Sequence, residues 1–201
     1  MTIKKLSLNK ALPYILVIGG IIGYLCAAII MFDKIELLKN PGYVPSCDLD
    51  PVVSCGSVMS SDQASAFGFP NTFIGLAAFP ILLAVGAAML AGATFKRWFW
   101  LGLQAGTIFG LFFVHWLFYQ AVYNIQALCP YCMVVWLITI TTFWYVLLYN
   151  IDHKYITLPK GGTQKVYAWV RRHHLDILFV WLLIIAVLIL KHFWYYYGKY
   201  F

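Results

Sequence analysis

The chain has 201 residues, of which 63% are hydrophobic and only 10% carry a charge. A soluble globular domain carries about 25% charged residues, so this composition excludes that class of protein. Apolar runs near twenty residues recur along the sequence, which predicts an all-α integral membrane protein with several spans. The formal net charge of +7 comes without a basic and aromatic stripe of the nucleic-acid-binding type. We therefore interpret it as basic residues retained on the cytoplasmic side of the membrane.

The first apolar run predicts a membrane span over about 13–32, followed by an outer loop over 33–68. Pro13 suits the first turn of this helix, where its missing N–H would have no partner anyway. The small residues of the run allow another helix to approach closely; they are Gly19, Gly20, Gly23, Ala27 and Ala28. The run is too long for a removable signal peptide and lacks a small-residue cleavage site. The following segment combines charged side chains with three prolines and two cysteines, which favours an ordered loop outside the hydrocarbon.

The remaining apolar sequence predicts four further spans. The second covers about 71–95, before Lys96 and Arg97. Residues 98–151 contain no Asp, Glu, Lys or Arg. As one helix this run would measure about 80 Å, against a hydrocarbon core of roughly 30 Å, so it must contain two spans. We place these at about 98–119 and 129–149, with the turn in the polar patch between them. A last run predicts a fifth span at about 175–194, with an interfacial helix as the alternative. Residues 1–201 are expected to form a single domain.

The distribution of charge predicts the orientation of the five spans. One side collects ten basic residues: Lys4, Lys5, Lys10, Lys96, Arg97, Lys154, Lys160, Lys165, Arg171 and Arg172. The other side collects Lys34, Lys39, Lys191 and Lys199, together with five of the seven acidic residues. The positive-inside rule assigns the first side to the cytoplasm. The loop over 33–68 and the start of the fourth span then share the outer face.

Four of the five cysteines are predicted to lie on that outer face, which is typically the disulfide-permissive side. The fourth span begins with a CxxC pair, Cys129-Pro130-Tyr131-Cys132. Pro130 suits the first helical turn, so Cys129 is a candidate N-cap and Cys132 lies one turn deeper. The free N–H groups and the dipole of a helix start stabilise a thiolate, the attacking species in disulfide exchange. Cys132 would lie at the edge of the bilayer core, within reach of a lipid-soluble quinone.

Two structural interpretations of these cysteines stay open beside the redox one. Four thiolates on one face can form a tetrahedral zinc site, or the cysteines can form two static disulfides. Cys47 and Cys55 are separated by seven residues, wider than the usual two to four of a zinc knuckle. Because a CxxC pair is a signal of thiol exchange, we favour the redox interpretation. Cys26 lies in the middle of the first span and is expected to be a small apolar core residue.

These residues also follow a family pattern. Cys47-Asp48 is followed after five residues by Ser54-Cys55, a serine comes six residues after the second cysteine, and a CxxC begins a later span. Over about residues 13–150 the chain resembles the vitamin K epoxide reductase family, and more specifically a bacterial homologue. The resemblance implies a four-helix transmembrane bundle around a quinone, of the ubiquinone or menaquinone type. Many bacterial members have an additional fifth helix.

The resemblance also implies a role for each outer cysteine. Cys47 and Cys55 would be the shuttle pair, with Cys47 engaged first by the thiol partner. Cys55 would exchange with Cys129, and Cys132 would reduce the quinone. The implied function is a thiol–disulfide oxidoreductase of the cell inner membrane, with its active cysteines on the periplasmic side, that supports disulfide formation. Many bacterial members carry a fused thioredoxin-like domain. Because this sequence stops at Phe201, a separate thioredoxin-like dithiol protein is the expected partner.

Four further residues are candidates for the quinone site. Ser61 matches the family's serine near the active site, and Asn71 matches an asparagine that hydrogen-bonds a quinone oxygen. Trp136 stands where the vertebrate enzymes have a tyrosine; an indole N–H can donate a hydrogen bond but cannot accept one as a phenol can. His115 is an intramembrane titratable residue and a candidate proton donor to the quinone. A neutral histidine bonded to a neighbouring helix is the alternative interpretation.

Two other functions stay open at this point. The first is reduction of vitamin K quinone or epoxide in an endoplasmic reticulum membrane. Trp136 in place of the tyrosine makes the epoxide a less favoured substrate than a plain quinone. The second is a non-enzymatic membrane protein with structural or zinc-binding cysteines.

Overall fold

A computed structural model of the chain describes residues 8–40, 42–159 and 161–198. In these ranges the chain forms seven α-helices and no strand. They are α1 (Leu8–Lys39), α2 (Cys55–Ser60), α3 (Thr72–Leu90), α4 (Arg97–Tyr119), α5 (Pro130–Asp152), α6 (Gly162–Arg172) and α7 (His174–Tyr197). Five of them, α1, α3, α4, α5 and α7, are long and apolar enough to cross a membrane. The predicted all-α membrane fold is confirmed. Lys4, Lys5, Lys160 and Lys199 of the charge argument lie outside the described residues.

Helix α1 is longer at both ends than the predicted span. It begins at Leu8, so Pro13 lies in the second helical turn and not in the first. At the other end it runs to Lys39, and the prediction that residues 33–39 belong to the loop is wrong. Tertiary contacts keep this charged segment helical: Asp33 accepts the Tyr43 hydroxyl at 2.9 Å, and Lys34 donates to the Met59 carbonyl at 2.7 Å. The pair of Lys39 with Glu36 at 2.8 Å, one turn apart, adds a small stabilisation.

The other spans differ from the prediction at their ends. Helix α3 stops at Leu90 and not near 95, because Gly92 takes a left-handed φ of 88° that a helix cannot accommodate. Helix α4 continues as a π-helical segment over Gln120–Ile125, so the predicted turn begins only at Gln126, with φ 58°. The basic segment between the fourth and fifth spans, which the charge argument assigns to the cytoplasmic side, contains the amphipathic helix α6. Arg171 of this helix pairs with Asp152 at 2.9 Å.

The four spans nearest the N-terminus form a bundle in the spatial order α3, α1, α5, α4. Helix α1 packs along α3 and α5, and α4 packs along α5. Glycines bring α1 and α3 very close: a Cβ on Gly20 would lie 2.7 Å from the backbone N of Leu83, and one on Gly23 would lie 2.5 Å from the Phe79 ring. The close approach predicted from the small residues is confirmed. Helices α3 and α4 make few direct contacts, so the bundle has a gap between them.

Candidate functional site

The outer loop is attached to the start of α5 by a short backbone bridge. Ser54 donates its backbone N–H to the Leu128 carbonyl at 3.0 Å, and Leu128 donates its own to the Val52 carbonyl at 2.7 Å. The two strands of this bridge run in parallel. Since Cys55 directly follows Ser54 and Cys129 directly follows Leu128, the bridge brings these two cysteines side by side.

Polar side chains fold the loop around Cys47 and Cys55. One Asp50 oxygen accepts the backbone N–H groups of Val52 and Val53, both at 2.8 Å. Asp48, beside Cys47, accepts the backbone N–H of Gly56 at 2.8 Å. The Lys34 ammonium donates to the Met59 carbonyl at 2.7 Å, at the last turn of α2, where cations interact favourably with the free carbonyl groups. Helix α2, which begins with Cys55, is therefore held at both ends.

The cysteines form an array poised for disulfide exchange. Cys47 and Cys55 are joined by a disulfide, whereas Cys129 and Cys132 are free thiols. The Cys129 sulfur lies 3.3 Å from the Cys55 sulfur. Reacting atoms in a near-attack arrangement are about 3–3.5 Å apart, so Cys129 is positioned to attack this disulfide. Cys55 is fully buried and Cys129 is 1% exposed, which keeps the contact out of solvent.

Cys129 is the N-cap of α5, as the sequence predicted. Its sulfur accepts the backbone N–H of Cys132 at 3.4 Å, and Pro130 is the first residue of the helix. The pKa of the Cys129 thiol lies below its ordinary value because the Cys132 side chain and the backbone N–H groups of Cys132 and Tyr131 stabilise the thiolate. These hydrogen bonds outweigh the effect of burial. Because the thiolate is the attacking species, the lowered pKa favours Cys129 as the nucleophile in an attack on Cys55.

A large apolar cavity begins at Cys132 and fills the gap between α3 and α4. Its volume is about 580 Å³, and α5 and the outer end of α1 complete its wall. Small-molecule sites typically enclose roughly 300–1,000 Å³ with mostly apolar walls, so the cavity suits a lipophilic ligand. Gly102 and Gly106 of α4 border it, and a Cβ at either would meet no heavy atom within 4 Å. The Cys132 thiol therefore borders a membrane cavity of ligand size.

The sequence model of the Vitamin K epoxide reductase family matches residues 14–147, more than half of the chain. The chain belongs to this family. The matched range covers α1 to nearly the end of α5 and contains all four outer cysteines, whereas α6 and α7 lie beyond it. Among curated proteins, none matches the chain significantly. Family membership indicates a membrane oxidoreductase of the thiol–disulfide and quinone reductase type.

Two of the four predicted quinone-site residues lie in the wall of the large cavity. Trp136 is 5% exposed and packs edge-on against Phe118. Asn71 also borders the cavity, but its carboxamide holds the loop. It donates to the Gln63 carbonyl at 2.7 Å and accepts the Ala66 N–H at 3.1 Å. An amide nitrogen has two hydrogens, so one N–H of Asn71 is left for a ligand.

The other two predicted residues do not border this cavity. The Ser61 hydroxyl donates to the Val58 carbonyl at 2.7 Å, and the residue lines a separate cavity of about 40 Å³ beside Cys129. His115 faces α7: its Nδ1 lies 2.8 Å from the Leu111 carbonyl, and its Nε2 accepts the indole N–H of Trp181 at 3.2 Å. The structure does not bring His115 to the candidate quinone site, because its face of α4 is turned toward the fifth span.

Sequence reasoning missed an unpaired polar group buried in the wall of the cavity. Thr142 is 1% exposed and borders the cavity, and its hydroxyl has no hydrogen-bond partner among the described residues. Thr139 also borders the cavity, but its hydroxyl donates to the Val135 carbonyl at 2.8 Å. The signal was present in the sequence, since positions 132, 135, 139 and 142 share one face of a helix.

The geometry of Cys47, Asp48 and Cys55 does not support a zinc site. Ligand atoms of Cys47, Asp48 and Cys55 lie within 4.8 Å of one another, the spacing of a metal site. However, the two sulfurs are bonded to each other. Because the ligand that zinc takes from cysteine is a thiolate, these two residues supply none in this redox state.

Proposed function

We propose that the chain passes electrons from a thioredoxin-like dithiol protein outside the cytoplasm to a quinone, and so supports disulfide formation there. Cys47 and Cys55 receive the electrons, and Cys129 and Cys132 carry them to the quinone. One observation carries the proposal: the Cys129 sulfur is 3.3 Å from the shuttle disulfide. At the opposite end of the cysteine array, Cys132 borders the large membrane cavity. The array thus connects the outer loop with the bilayer interior.

The relay proceeds by consecutive disulfide exchanges. A partner thiolate attacks Cys47, and the released Cys55 thiolate attacks the Cys129–Cys132 disulfide at Cys129. When the partner closes its own disulfide, Cys47 is freed and attacks Cys55, which releases Cys129. The shuttle pair is then oxidised and the CxxC pair reduced. This is the redox state that the structure has, and it directly precedes electron transfer to the quinone.

The cavity fits a quinone by size and chemistry. It is almost wholly apolar, as an isoprenoid quinone requires, and its few polar groups include the free N–H of Asn71. A bound quinone would supply an acceptor for two electrons and two protons. The Cys132 thiol at the cavity wall delivers the electron pair, and closure of the Cys129–Cys132 disulfide completes the oxidation.

Charge supports an orientation with the cysteines outside the cytoplasm. The outer loop and the start of α5 lie at one end of the bundle, since the bridge between Ser54 and Leu128 joins them. The opposite end carries Lys96 and Arg97 at the start of α4, together with the basic helix α6. By the positive-inside rule, the basic end faces the cytoplasm. In a bacterial cell this orientation places the relay on the periplasmic side of the inner membrane.

The proposal is tested with the purified full chain in lipid nanodiscs, a small dithiol as electron donor and a short-chain quinone as acceptor. We expect Cys132→Ser to abolish quinone reduction and to accumulate the Cys55–Cys129 disulfide, because the Cys132 thiol that would resolve it at Cys129 is absent and only Cys47 can still do so. Cys26→Ser is the matched control, since Cys26 is a buried free thiol of α1 to which the relay assigns no step. Quinone reduction by Cys132→Ser at the wild-type rate would refute the proposal.

Two further measurements define the substrates. In Cys55→Ala, Cys47 should retain the dithiol partner as a mixed disulfide, which mass spectrometry of the trapped complex identifies. Turnover of vitamin K epoxide and of a plain quinone on one preparation separates the two reductase activities. Because Trp136 cannot accept a hydrogen bond, we expect turnover of the quinone only.

A further inference from the structure

Helix α6 presents apolar side chains that the described part of the chain leaves largely uncovered. Its apolar residues gather on one side, because Val166, Trp169 and Val170 are three or four positions apart. Val170 packs against the core of the bundle, as does Tyr167. By contrast, Val166 and Trp169 are 61% and 58% exposed. The apolar side of α6 is therefore wider than the surface with which the helix packs on the bundle.

Contacts with α5 hold α6 at the basic end of the bundle, beside the last turn of the fourth span. The Tyr167 hydroxyl donates to the Asp152 carboxylate at 2.7 Å and lies 3.1 Å from the Leu148 carbonyl. Arg171 forms an ion pair with the same carboxylate at 2.9 Å. Helix α5 ends at Asp152, and α7, the next span, begins at His174. Because α6 is fixed between the adjoining ends of two membrane spans, it lies at the boundary between hydrocarbon and water.

Two basic side chains border the exposed apolar pair. Lys165 comes four positions before Trp169 and Arg172 three positions after it, so the three residues share one side of the helix. Both basic residues are exposed, and neither forms an ion pair with another described residue. The charge of Arg171, in contrast, is already paired with Asp152. An apolar face with a tryptophan, next to Lys and Arg, is typical of helices that lie in a membrane interface.

We propose that α6 is a docking surface for anionic phospholipids of the adjacent leaflet. Val166 and Trp169 enter the boundary between headgroups and acyl chains, and Lys165 and Arg172 bind headgroup phosphates. The long stems of these two basic side chains lie along the apolar surface and let their charges reach the headgroups. The charge of α6 selects the occupant, because the cytoplasmic leaflet has a negative surface potential that attracts basic segments. This role concerns the membrane and does not depend on the cysteine relay.

Native mass spectrometry of the purified full chain measures lipid binding directly. The protein in detergent is titrated with dioleoyl phosphatidylglycerol, which is anionic, and separately with dioleoyl phosphatidylcholine, which is zwitterionic. The bound molecules are counted by mass, and because the two lipids have the same acyl chains, a difference in affinity reports the headgroup. We expect phosphatidylglycerol to bind more tightly, and its advantage to shrink as the salt concentration rises, since salt screens exposed charges. No quinone or dithiol is present, so the result is independent of the proposed function.

We expect Lys165→Gln combined with Arg172→Gln to weaken phosphatidylglycerol binding about 25-fold, because each basic residue close to an anionic surface contributes a factor of about five. Binding of phosphatidylcholine should not change. The matched control is Lys10→Gln combined with Lys96→Gln. It removes the same charge from exposed positions at the same end of the bundle, at the starts of α1 and α4. This control should keep the wild-type affinity for phosphatidylglycerol.

Val166→Ser combined with Trp169→Ser tests the apolar half of the surface. Both side chains are exposed, so the substitutions leave the packing of the bundle intact, and thermal unfolding in detergent verifies this. We expect this variant to bind both lipids more weakly, because the acyl chains lose apolar contact area.

Three results would overturn the proposal. Equal affinity of the wild-type chain for the two lipids would mean that α6 does not recognise an anionic headgroup. An equal loss in the Lys10 and Lys96 control would mean that the basic end attracts anionic lipid by its net charge alone. A wild-type dimer that dissociates in the variant with serine substitutions at Val166 and Trp169 would mean that a second copy of the chain, and not lipid, covers this surface.

Discussion

Ser54 donates its backbone N–H to the carbonyl of Leu128 over 3.0 Å, and this hydrogen bond determines how the two following cysteines meet. The described residues of the outer loop contribute no strand to a sheet, and the bridge is an isolated pair. The 3.3 Å contact between the Cys55 and Cys129 sulfurs thus depends on a short backbone connection between a loop and a helix start. A change that removes one hydrogen bond of this bridge should lower the rate of electron transfer more than it lowers the stability of the membrane spans.

Ser54→Pro should separate the two sulfurs. Proline has no N–H and fixes φ near −65°, whereas Ser54 has a φ of −140°. Because misplacement of reacting groups by about 1 Å can cost 100-fold in rate, we expect a loss of roughly that size in dithiol-dependent quinone reduction. The control is Ser54→Ala, which keeps the N–H and loses only the cap of α2, at a cost of about 1 kcal/mol in stability. Equal activity of the two variants would show that the bridge does not position the cysteines.

Gly106→Phe should block the cavity without affecting cysteine exchange. Gly106 borders the cavity, and a Cβ there meets open space, so a phenyl group at this position would occupy volume that the quinone needs. We expect the KM for quinone to rise at least about tenfold, which is the effect of one badly fitting group in a hydrophobic pocket. In a Cys132→Ser background, alkylation of the Cys47 thiol that is released when Cys129 attacks Cys55 should proceed at the same rate with and without Gly106→Phe. The control is Ala105→Phe, at an exposed position of α4 outside the cavity wall. A similar KM in both variants would place the quinone elsewhere.

Sequence patterns predicted the parts of this molecule that depend on the membrane and on local chemistry. Five spans follow from the length of hydrocarbon that each apolar run must cross. Pro130 followed by an apolar helix predicted the N-cap at Cys129, which the structure confirms. Charge asymmetry predicted that the loop cysteines and the CxxC pair share one face, and the structure brings Cys55 to Cys129.

The remaining features depend on which helix faces meet, and a single sequence does not contain that information. The sequence predicted two interpretations of His115, a proton donor to the quinone or a bond to a neighbouring helix. It could not decide between them, because the direction of the side chain depends on its contact with Trp181 of α7. The charges after Phe32 predicted a loop, yet tertiary contacts keep them helical: Asp33 with Tyr43, and Lys34 with the Met59 carbonyl. The cavity exists because α3 and α4 stay apart.

Thr142→Val should stabilise the ligand-free protein. The Thr142 hydroxyl is buried without a partner among the described residues, and such a group costs about 1 kcal/mol or more. We therefore expect the free energy of unfolding to increase by about that amount, measured by thermal unfolding in detergent without quinone.

Thr139→Val is the matched control for the stabilisation expected in Thr142→Val. Its hydroxyl borders the same cavity one turn away but donates to the Val135 carbonyl, so it is not an unpaired group. Its removal should not stabilise the protein. A stabilisation of equal size in both variants would show that the missing partner of Thr142 is not the cause.

His115→Leu should loosen the fifth span and leave quinone reduction nearly unchanged. His115 accepts the Trp181 indole N–H and uses its other ring nitrogen on the Leu111 carbonyl, so both nitrogens serve helix packing. Loss of an interhelical hydrogen bond in a membrane costs about 1 kcal/mol, and we expect thermal stability to fall accordingly. Trp181→Phe removes the same bond from α7 and should reproduce the loss. A fall in kcat for quinone of more than about tenfold in His115→Leu, without the same fall in Trp181→Phe, would instead support a role for His115 in proton donation.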